Sequence, residues 1–319
     1  AKIPVNMEIK DLLKATGFEK GYFANSGAEA NEAAIKLARK YGQLNGGSKR
    51  KTIVTLESSF HGRTLATLTA TGQDKFHPDC FAPYPEGFKT IKANDFEALE
   101  TAFDDTTCAL FIECIQGEGG VKLIDSQWAK AAAEAARKAG AIVMADEVQT
   151  GIGRTGTFLA SDALGFNPEV VTLAKGIAAG VPMGACLFRG KAADIFVAGD
   201  HQSTFAGNPL ACAAGNVVVK TVANQKFLNE VTQKGEYIKD TIKSWNIPFV
   251  KDIRGKGLMI GIQIEENIKP LDVEIKCLQE GLCVATAGSD VVRFLPPLTI
   301  SKKEIDKGLS IFYKVLKTY

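Results

Sequence analysis

The sequence predicts an α/β protein: a mostly parallel sheet in a large domain, followed by a smaller C-terminal α+β domain. Two observations carry that reading. Between about residues 20 and 200, short apolar runs without alternation take turns with Ala-rich helical stretches, the pattern of strands buried on both faces by crossover helices. Beyond about Pro209 the texture changes to one long helical stretch and then strand-like segments that sit closer together. The boundary falls between a large domain over 1–209 and, over 210–319, a long linking helix with the small domain.

The chain opens Ala1-Lys2-Ile3-Pro4, with neither an initiator Met nor a signal-peptide pattern. It enters a helical run at Met7–Thr16, as though a longer protein had begun earlier. Strands are expected at Thr52–Leu56, Cys108–Ile115, Ala141–Ala145, Val170–Leu173 and Ala185–Phe188. Ser126–Lys138 reads as a crossover helix stopped by Gly140. The second region reads as a helix over Leu210–Trp245, strands at Phe249–Ile253 and Leu258–Ile264, and a helix near Leu271–Gln279. A short strand pair around Leu282–Ala285 and Val291–Leu295 and an amphipathic helix from Lys302 complete it.

Composition narrows the function classes. The 319 residues are 45% hydrophobic and 23% charged with a net charge of +2, as in an ordinary soluble protein. Ser48-Lys49-Arg50-Lys51 is the densest basic run and reads as a solvated loop rather than a nucleic-acid patch. No apolar run has the length of a membrane span. Seven cysteines, none in CxxC spacing, suit a reducing cytoplasmic setting better than a disulfide framework. The three histidines are too scattered to suggest a metal, and none is expected.

In a parallel sheet, ligands bind beyond the carboxyl ends of the strands, so residues just after strands carry the most weight. Ser26 and Glu29 have capping-box spacing, which by itself explains both. Ser26-Gly27-Ala28 also presents small side chains and free N–H groups at a positive helix end, the geometry that receives a phosphate. Asp146, at the end of Ala141–Ala145 and next to Glu147, is either a turn former or a partner for a protonated ring nitrogen. Lys175 ends an apolar strand before a Gly-rich turn. It has either reached the surface or is held among apolar residues with the depressed pKa an amine nucleophile needs. Gly151, Gly153 and Gly156 spell GxGxxG, a weak dinucleotide signal because Thr157-Phe158-Leu159 opens no clear helix. Triphosphate-loop, serine-hydrolase and zinc-protease signatures are absent.

Seven stretches, in order, carry a resemblance: FANSGAEANEAAIKLARKYG, SFHGRT, IECIQGEGGV, ADEVQTGIGRTG, TLAKGIAAGVPMGA, STFAGNPLACAA and RFLPPLTI. Together they resemble class III aminotransferases dependent on pyridoxal phosphate (PLP), most closely the acetylornithine aminotransferases. The resemblance implies a fold-type I PLP-dependent transferase. In that family Lys175 would carry the cofactor on its amine and move the substrate proton, and Asp146 would pair with the ring nitrogen. Glu147 falls beside it in the cofactor-binding run, and Gln149 would contact the ring hydroxyl. Val148 and Phe60 would cover the two ring faces. Ser26, Gly27 and Ala28 would hold the phosphate, joined by Thr204 of the neighbouring subunit in a homodimer with composite sites. Arg63 would clamp a substrate carboxylate, with Ser203 near the substrate. Glu118 and Arg293 would form a switchable pair that admits both a basic donor and an acidic acceptor. The implied reaction moves the δ-amino group of N-acetylornithine to 2-oxoglutarate, a step of arginine biosynthesis. Ornithine, succinylornithine and 4-aminobutyrate aminotransferases are the alternatives within the family, and a truncated inactive scaffold the alternative outside it. Family members begin several dozen residues earlier, with a segment that helps close the active site.

Overall fold

The computed structural model describes residues 5–319. The opening Ala1–Pro4 lies outside the described residues. Contacts divide the chain into two units. One takes the chain up to Cys114 with Ile124–Ile152 and Phe158–Ala223, and the other takes Ile115–Leu123, Gly153–Thr157 and Asn224–Tyr319.

The first unit is built on a seven-stranded sheet. In spatial order its strands are Lys20–Ala24, Gly184–Phe188, Val170–Leu173, Ile142–Asp146, Thr107–Glu113, Thr52–Leu56 and Phe88–Ile91. Gly184–Phe188 runs against both its neighbours and the other ladders are parallel. The central strands are buried along their whole length, so their sequences are apolar runs rather than alternations. Two strands leave no clear signature in the sequence. Lys20–Ala24 and Phe88–Ile91 lie at the sheet edges and are only partly buried, so neither has a full apolar run.

The helix Gly27–Gly46 turns Ala30, Ala33, Ala34, Leu37, Ala38 and Tyr41 inward. Its small side chains let backbone approach backbone: a Cβ at Gly42 would stand 2.0 Å from the carbonyl of Arg50. The shared core joins Ala34 and Leu37 of this helix to Ile53, Phe111, Met144 and Val170 of the sheet. Burying one such large side chain stabilises by roughly 1.5–3 kcal/mol. The crossover helix spans Ser126–Lys138, started by Asp125, whose carboxylate accepts from the N–H groups of Gln127 and Trp128. It stops before Gly140, whose φ of +83° suits a residue without a Cβ.

The single helix expected over Leu210–Trp245 is two. Pro209–Val222 ends the first unit, and Gln225–Ser244 restarts at Asn224, whose side chain accepts from the N–H groups of Lys226 and Phe227. An Asn in that position caps a new helix instead of continuing the old one.

The second unit carries a four-stranded antiparallel sheet in the order Val250–Lys256, Met259–Ile264, Val291–Phe294 and Ala285–Ala287. Helices Gln225–Ser244, Pro270–Gln279 and Lys302–Leu316 contribute Val231, Ile238, Val273, Leu309 and Phe312 to a core shared with Ile260, Ile262 and Val292. No described helix is long and apolar enough to cross a membrane.

Candidate active site

The parallel strands of the first unit end along one edge, and a cavity of about 470 Å3 opens there. That volume suits a small-molecule site. The loops after four strands line it, together with Met183, which precedes the reversed strand.

Asn25, Ser26, Gly27 and Ala28 follow Lys20–Ala24 and enter the cavity wall. The Ser26 hydroxyl accepts from the N–H of Glu29 at 3.2 Å, while the Glu29 carboxylate accepts from the N–H of Asn25 at 2.8 Å. The capping box is therefore displaced by one residue, and the N–H groups of Gly27 and Ala28 keep no partner within the helix. They are donors for an anion at the positive end of a 20-residue helix. A Cβ on Gly27 would come within 2.7 Å of Val148 Cγ1, so the cradle tolerates only glycine without moving that neighbour.

Asp146 ends the strand Ile142–Asp146 and is buried, yet it lines the cavity. Its Oδ2 accepts from Asn31 Nδ2 and lies against His61 Nδ1, both at 2.8 Å, and its Oδ1 accepts from the N–H of Val148 at 3.0 Å. A carboxylate has about four acceptor positions. These three contacts leave room for one further donor, such as a protonated ring nitrogen. Buried charge is tolerated only when paired in this way.

Neither Asn31 nor His61 carries a functional signal of its own in the sequence. Each lies in one of the family-like motifs, but their convergence on Asp146 spans 115 and 85 residues of chain. His61 is further held by stacking on Phe111, with centroids 4.4 Å apart and planes 19° apart.

Glu147 does not join the cavity. Its carboxylate accepts from Thr150 Oγ1 at 2.6 Å and from the N–H groups of Ala160 and Ser161 at 3.0 and 2.6 Å. It is a buried brace for the turn that follows the strand. Burial raises its pKa above 4.5, opposed by these hydrogen bonds.

Lys175 lines the cavity, exposed to it rather than buried among apolar side chains. Its neighbour Ala174 supplies a buried part of the wall. Its backbone has φ of +49°, a left-handed conformation costing a non-glycine residue roughly 1–2 kcal/mol. Such strain clusters where a side chain must be aimed. Val148, Gln149, Phe60 and Arg63 also line the cavity. Ser203 is tied in by Asn25 Nδ2 at 2.9 Å, while Thr204 stands exposed in the following turn and is not part of the lining.

Glu118 and Arg293 meet within the second unit. Arg293 Nη1 donates to Glu118 Oε1 at 2.8 Å and to the Gly117 carbonyl at 2.9 Å. Gly151, Gly153 and Gly156 lie in successive turns, with no helix opening directly after them, which is not a dinucleotide-binding entry. Among the described residues no group of three or more His, Cys, Asp and Glu is placed to hold a metal ion.

A helix end for a phosphate, a carboxylate for a charged ring nitrogen and an amine thus share one cavity. This arrangement can hold a flat phosphorylated cofactor and exchange protons beside it. The chain belongs to the class-III aminotransferase family, whose model matches residues 4–316. Among its relatives, the acetylornithine aminotransferase of Caldanaerobacter subterraneus is 46% identical over 97% of this chain and 79% of its own length. That of Haemophilus ducreyi is 44% identical over 96% of this chain and 77% of its own. Of solved structures, an ornithine aminotransferase from Toxoplasma gondii, with PLP partially occupying its active site, superposes with a TM-score of 0.93 at 30% identity. It matches 100% of this chain and 77% of that one. The N-acetylornithine aminotransferase of Stenotrophomonas maltophilia gives 0.85 at 31%, over 100% and 80% of the two chains.

Proposed function

We propose that the protein is a PLP-dependent aminotransferase that moves the δ-amino group of N-acetylornithine to 2-oxoglutarate, giving N-acetylglutamate 5-semialdehyde and glutamate for arginine biosynthesis. The observation that carries this reading is the meeting of Gly27 and Ala28, Asp146 and Lys175 at one cavity. Relatives named acetylornithine aminotransferase at 44% and 46% identity support the choice of donor. A solved ornithine aminotransferase with a TM-score of 0.93 keeps ornithine as the second candidate donor.

The residues fit the cofactor. The N–H groups of Gly27 and Ala28 bind its phosphate, and the remaining acceptor position of Asp146 holds its ring nitrogen charged. Phe60 and Val148 cover the ring, and Gln149 meets its hydroxyl. Bound PLP would supply an electron sink for the carbon that loses its proton. Lys175 Nζ takes that proton from the carbon bearing the donor's amine and returns one at the cofactor side, and the reverse passage delivers the amine to the acceptor. Arg63 holds a substrate carboxylate with its planar fork, and the Glu118–Arg293 pair adjusts to basic or acidic substrates. We place the enzyme in a homodimer, with Thr204 reaching the partner's phosphate site, and in the reducing cytoplasm, where its seven free cysteines persist.

The test is the visible spectrum of the protein mixed with PLP, followed by N-acetylornithine. A yellow protein that bleaches on adding the donor is expected. Lys175→Ala should retain the wild-type circular dichroism and lose turnover; normal turnover in that variant would sink the reading.

A further inference from the structure

We propose that Phe76 is a positioning residue for substrate-carboxylate recognition, its ring being the platform that fixes the guanidinium of Arg63 at the cavity wall. The inference rests on the reading of Arg63 as the carboxylate clamp.

Arg63 is exposed, and a free arginine side chain samples many rotamers. Without a support, its fork would have to be ordered each time a carboxylate arrived. The support on the page is aromatic. The guanidinium carbon lies 4.4 Å from the Phe76 ring centroid and 5.6 Å from that of Phe60. The two rings meet edge to face, with centroids 5.8 Å apart and planes at 74°, so the guanidinium can lie flat on only one of them. The shorter distance makes that one Phe76. Stacking a guanidinium on a ring face leaves its N–H edges free in their own plane. Among the described residues no hydrogen bond or ion pair of Arg63 takes up those donors. Lys75 Nζ lies 4.9 Å from the same centroid, but a point charge has no fork to orient.

The platform is itself held. Phe76 stands in the short turn Asp74–Phe76. Just before it, Gln73 Nε2 donates to the Ser59 carbonyl at 3.0 Å, and the Ser58 N–H donates to the Gly72 carbonyl at 2.7 Å. Just after it, His77 Nε2 lies 2.6 Å from the Leu68 carbonyl. The turn is thus tied to the segment that leads into Phe60 and Arg63, so ring and guanidinium are carried by one anchored stretch. Phe76 is half-buried and outside the cavity lining. It acts through Arg63 and not on the substrate directly.

The test compares N-acetylornithine with its α-carboxamide, which lacks the charge Arg63 would grip. Phe76→Leu, which keeps apolar bulk and loses the ring face, is expected to raise KM for the acid about 3- to 10-fold. KM for the carboxamide and kcat should stay within about twofold, since binding rather than the chemical step is affected. Phe76→Tyr should restore the wild-type KM. Arg63→Ala should abolish the preference for the acid. If Arg63→Ala leaves that preference intact, the clamp reading itself falls and this proposal with it. If Arg63→Ala removes the preference while Phe76→Leu keeps it, or if Phe76→Leu harms both donors alike, the platform role is overturned and the clamp stands.

Discussion

Nδ1 of His61 lies 2.8 Å from Oδ2 of Asp146, with the two side chains 0% and 5% exposed. A carboxylate that is ionised only accepts, so this ring nitrogen carries the hydrogen. The contact therefore fixes the tautomer and presents Nε2 on the far side of the ring. Asn31 adds a second donor to the same oxygen. Together they compensate a buried negative charge and aim it at the cavity.

The charge on Asp146 is expected to matter more than its shape. Asp146→Asn keeps the volume but cannot hold a ring nitrogen protonated, and it should lower kcat by about 100-fold or more, the scale of losing a preorganised electrostatic partner. His61→Gln should cost less, about 10-fold, because Asn31 and the Val148 N–H still orient the carboxylate. Steady-state kinetics on folded variants decide it: a kcat for Asp146→Asn within threefold of wild type contradicts the assignment.

Glu147, one residue further on, should affect stability and not chemistry. Glu147→Ala strands two buried N–H groups and the Thr150 hydroxyl, at an expected cost of about 2–5 kcal/mol. The pH dependence has a definite sign. Burial raises the folded pKa above 4.5, so the folded state binds the proton more tightly than the unfolded one. The protonation-linked part of the contribution of Glu147 is then fully present below pH 4.5 and is lost as pH rises through the raised value, while its hydrogen bonds remain. Urea midpoints of wild type and variant should draw together over that range; a gap that widens with pH would overturn the argument.

The contrast between Asp146 and Glu147 marks how far the sequence could be read. Strand Val170–Leu173 and helix Ser126–Lys138 were legible because burial on both faces, or a cap and a terminal glycine, leaves a local pattern. Asp146 and Lys175 were legible because they end such strands. Which way each side chain turns is not local information. Successive side chains at a strand end point to opposite sides, so Asp146 reaches the cavity and Glu147 the turn behind it. Asn31 and His61 become recognisable only when the chain brings them to Asp146. Asn224 did carry a local signal, as a helix cap, and the apolar residues on both sides of it masked the break.

Arg293 is neutralised by Glu118 within the second unit, and the turn bearing Glu118 is braced by Arg254. Its Nε lies 3.1 and 3.2 Å from the carbonyls of Gly120 and Val121. Val121 itself has φ of +52°, a conformation that a β-branched residue keeps only when its surroundings enforce it. Glu118→Ala removes the carboxylate that, in the proposed switch, competes with substrate for Arg293. The expected result is a KM for 2-oxoglutarate lowered about 2- to 5-fold, with the KM for N-acetylornithine unchanged or raised, the scale of one partly exposed ion pair. Equal changes in both would deny the pair a role in substrate choice.

The segment carrying Thr204 also exposes large apolar side chains: Phe205 at 73%, Leu210 at 70% and Val217 at 67%. Leu210 and Val217 are seven residues apart on the helix Pro209–Val222 and therefore share a face. Apolar groups gathered on one exposed surface signal a partner, and a second copy is the partner proposed for Thr204. If the proposed dimer forms through this face, Leu210→Asp with Val217→Asp should shift the sedimenting mass from dimer to monomer and lower activity in parallel, because each phosphate site would lose the hydroxyl proposed to visit it. Thr204→Ala should leave the mass of the dimer unchanged and weaken PLP binding about 3- to 10-fold, the scale of one hydrogen bond to a charged group. A fully active monomer from the double variant would separate the apolar face from the site and return Thr204 to the surface.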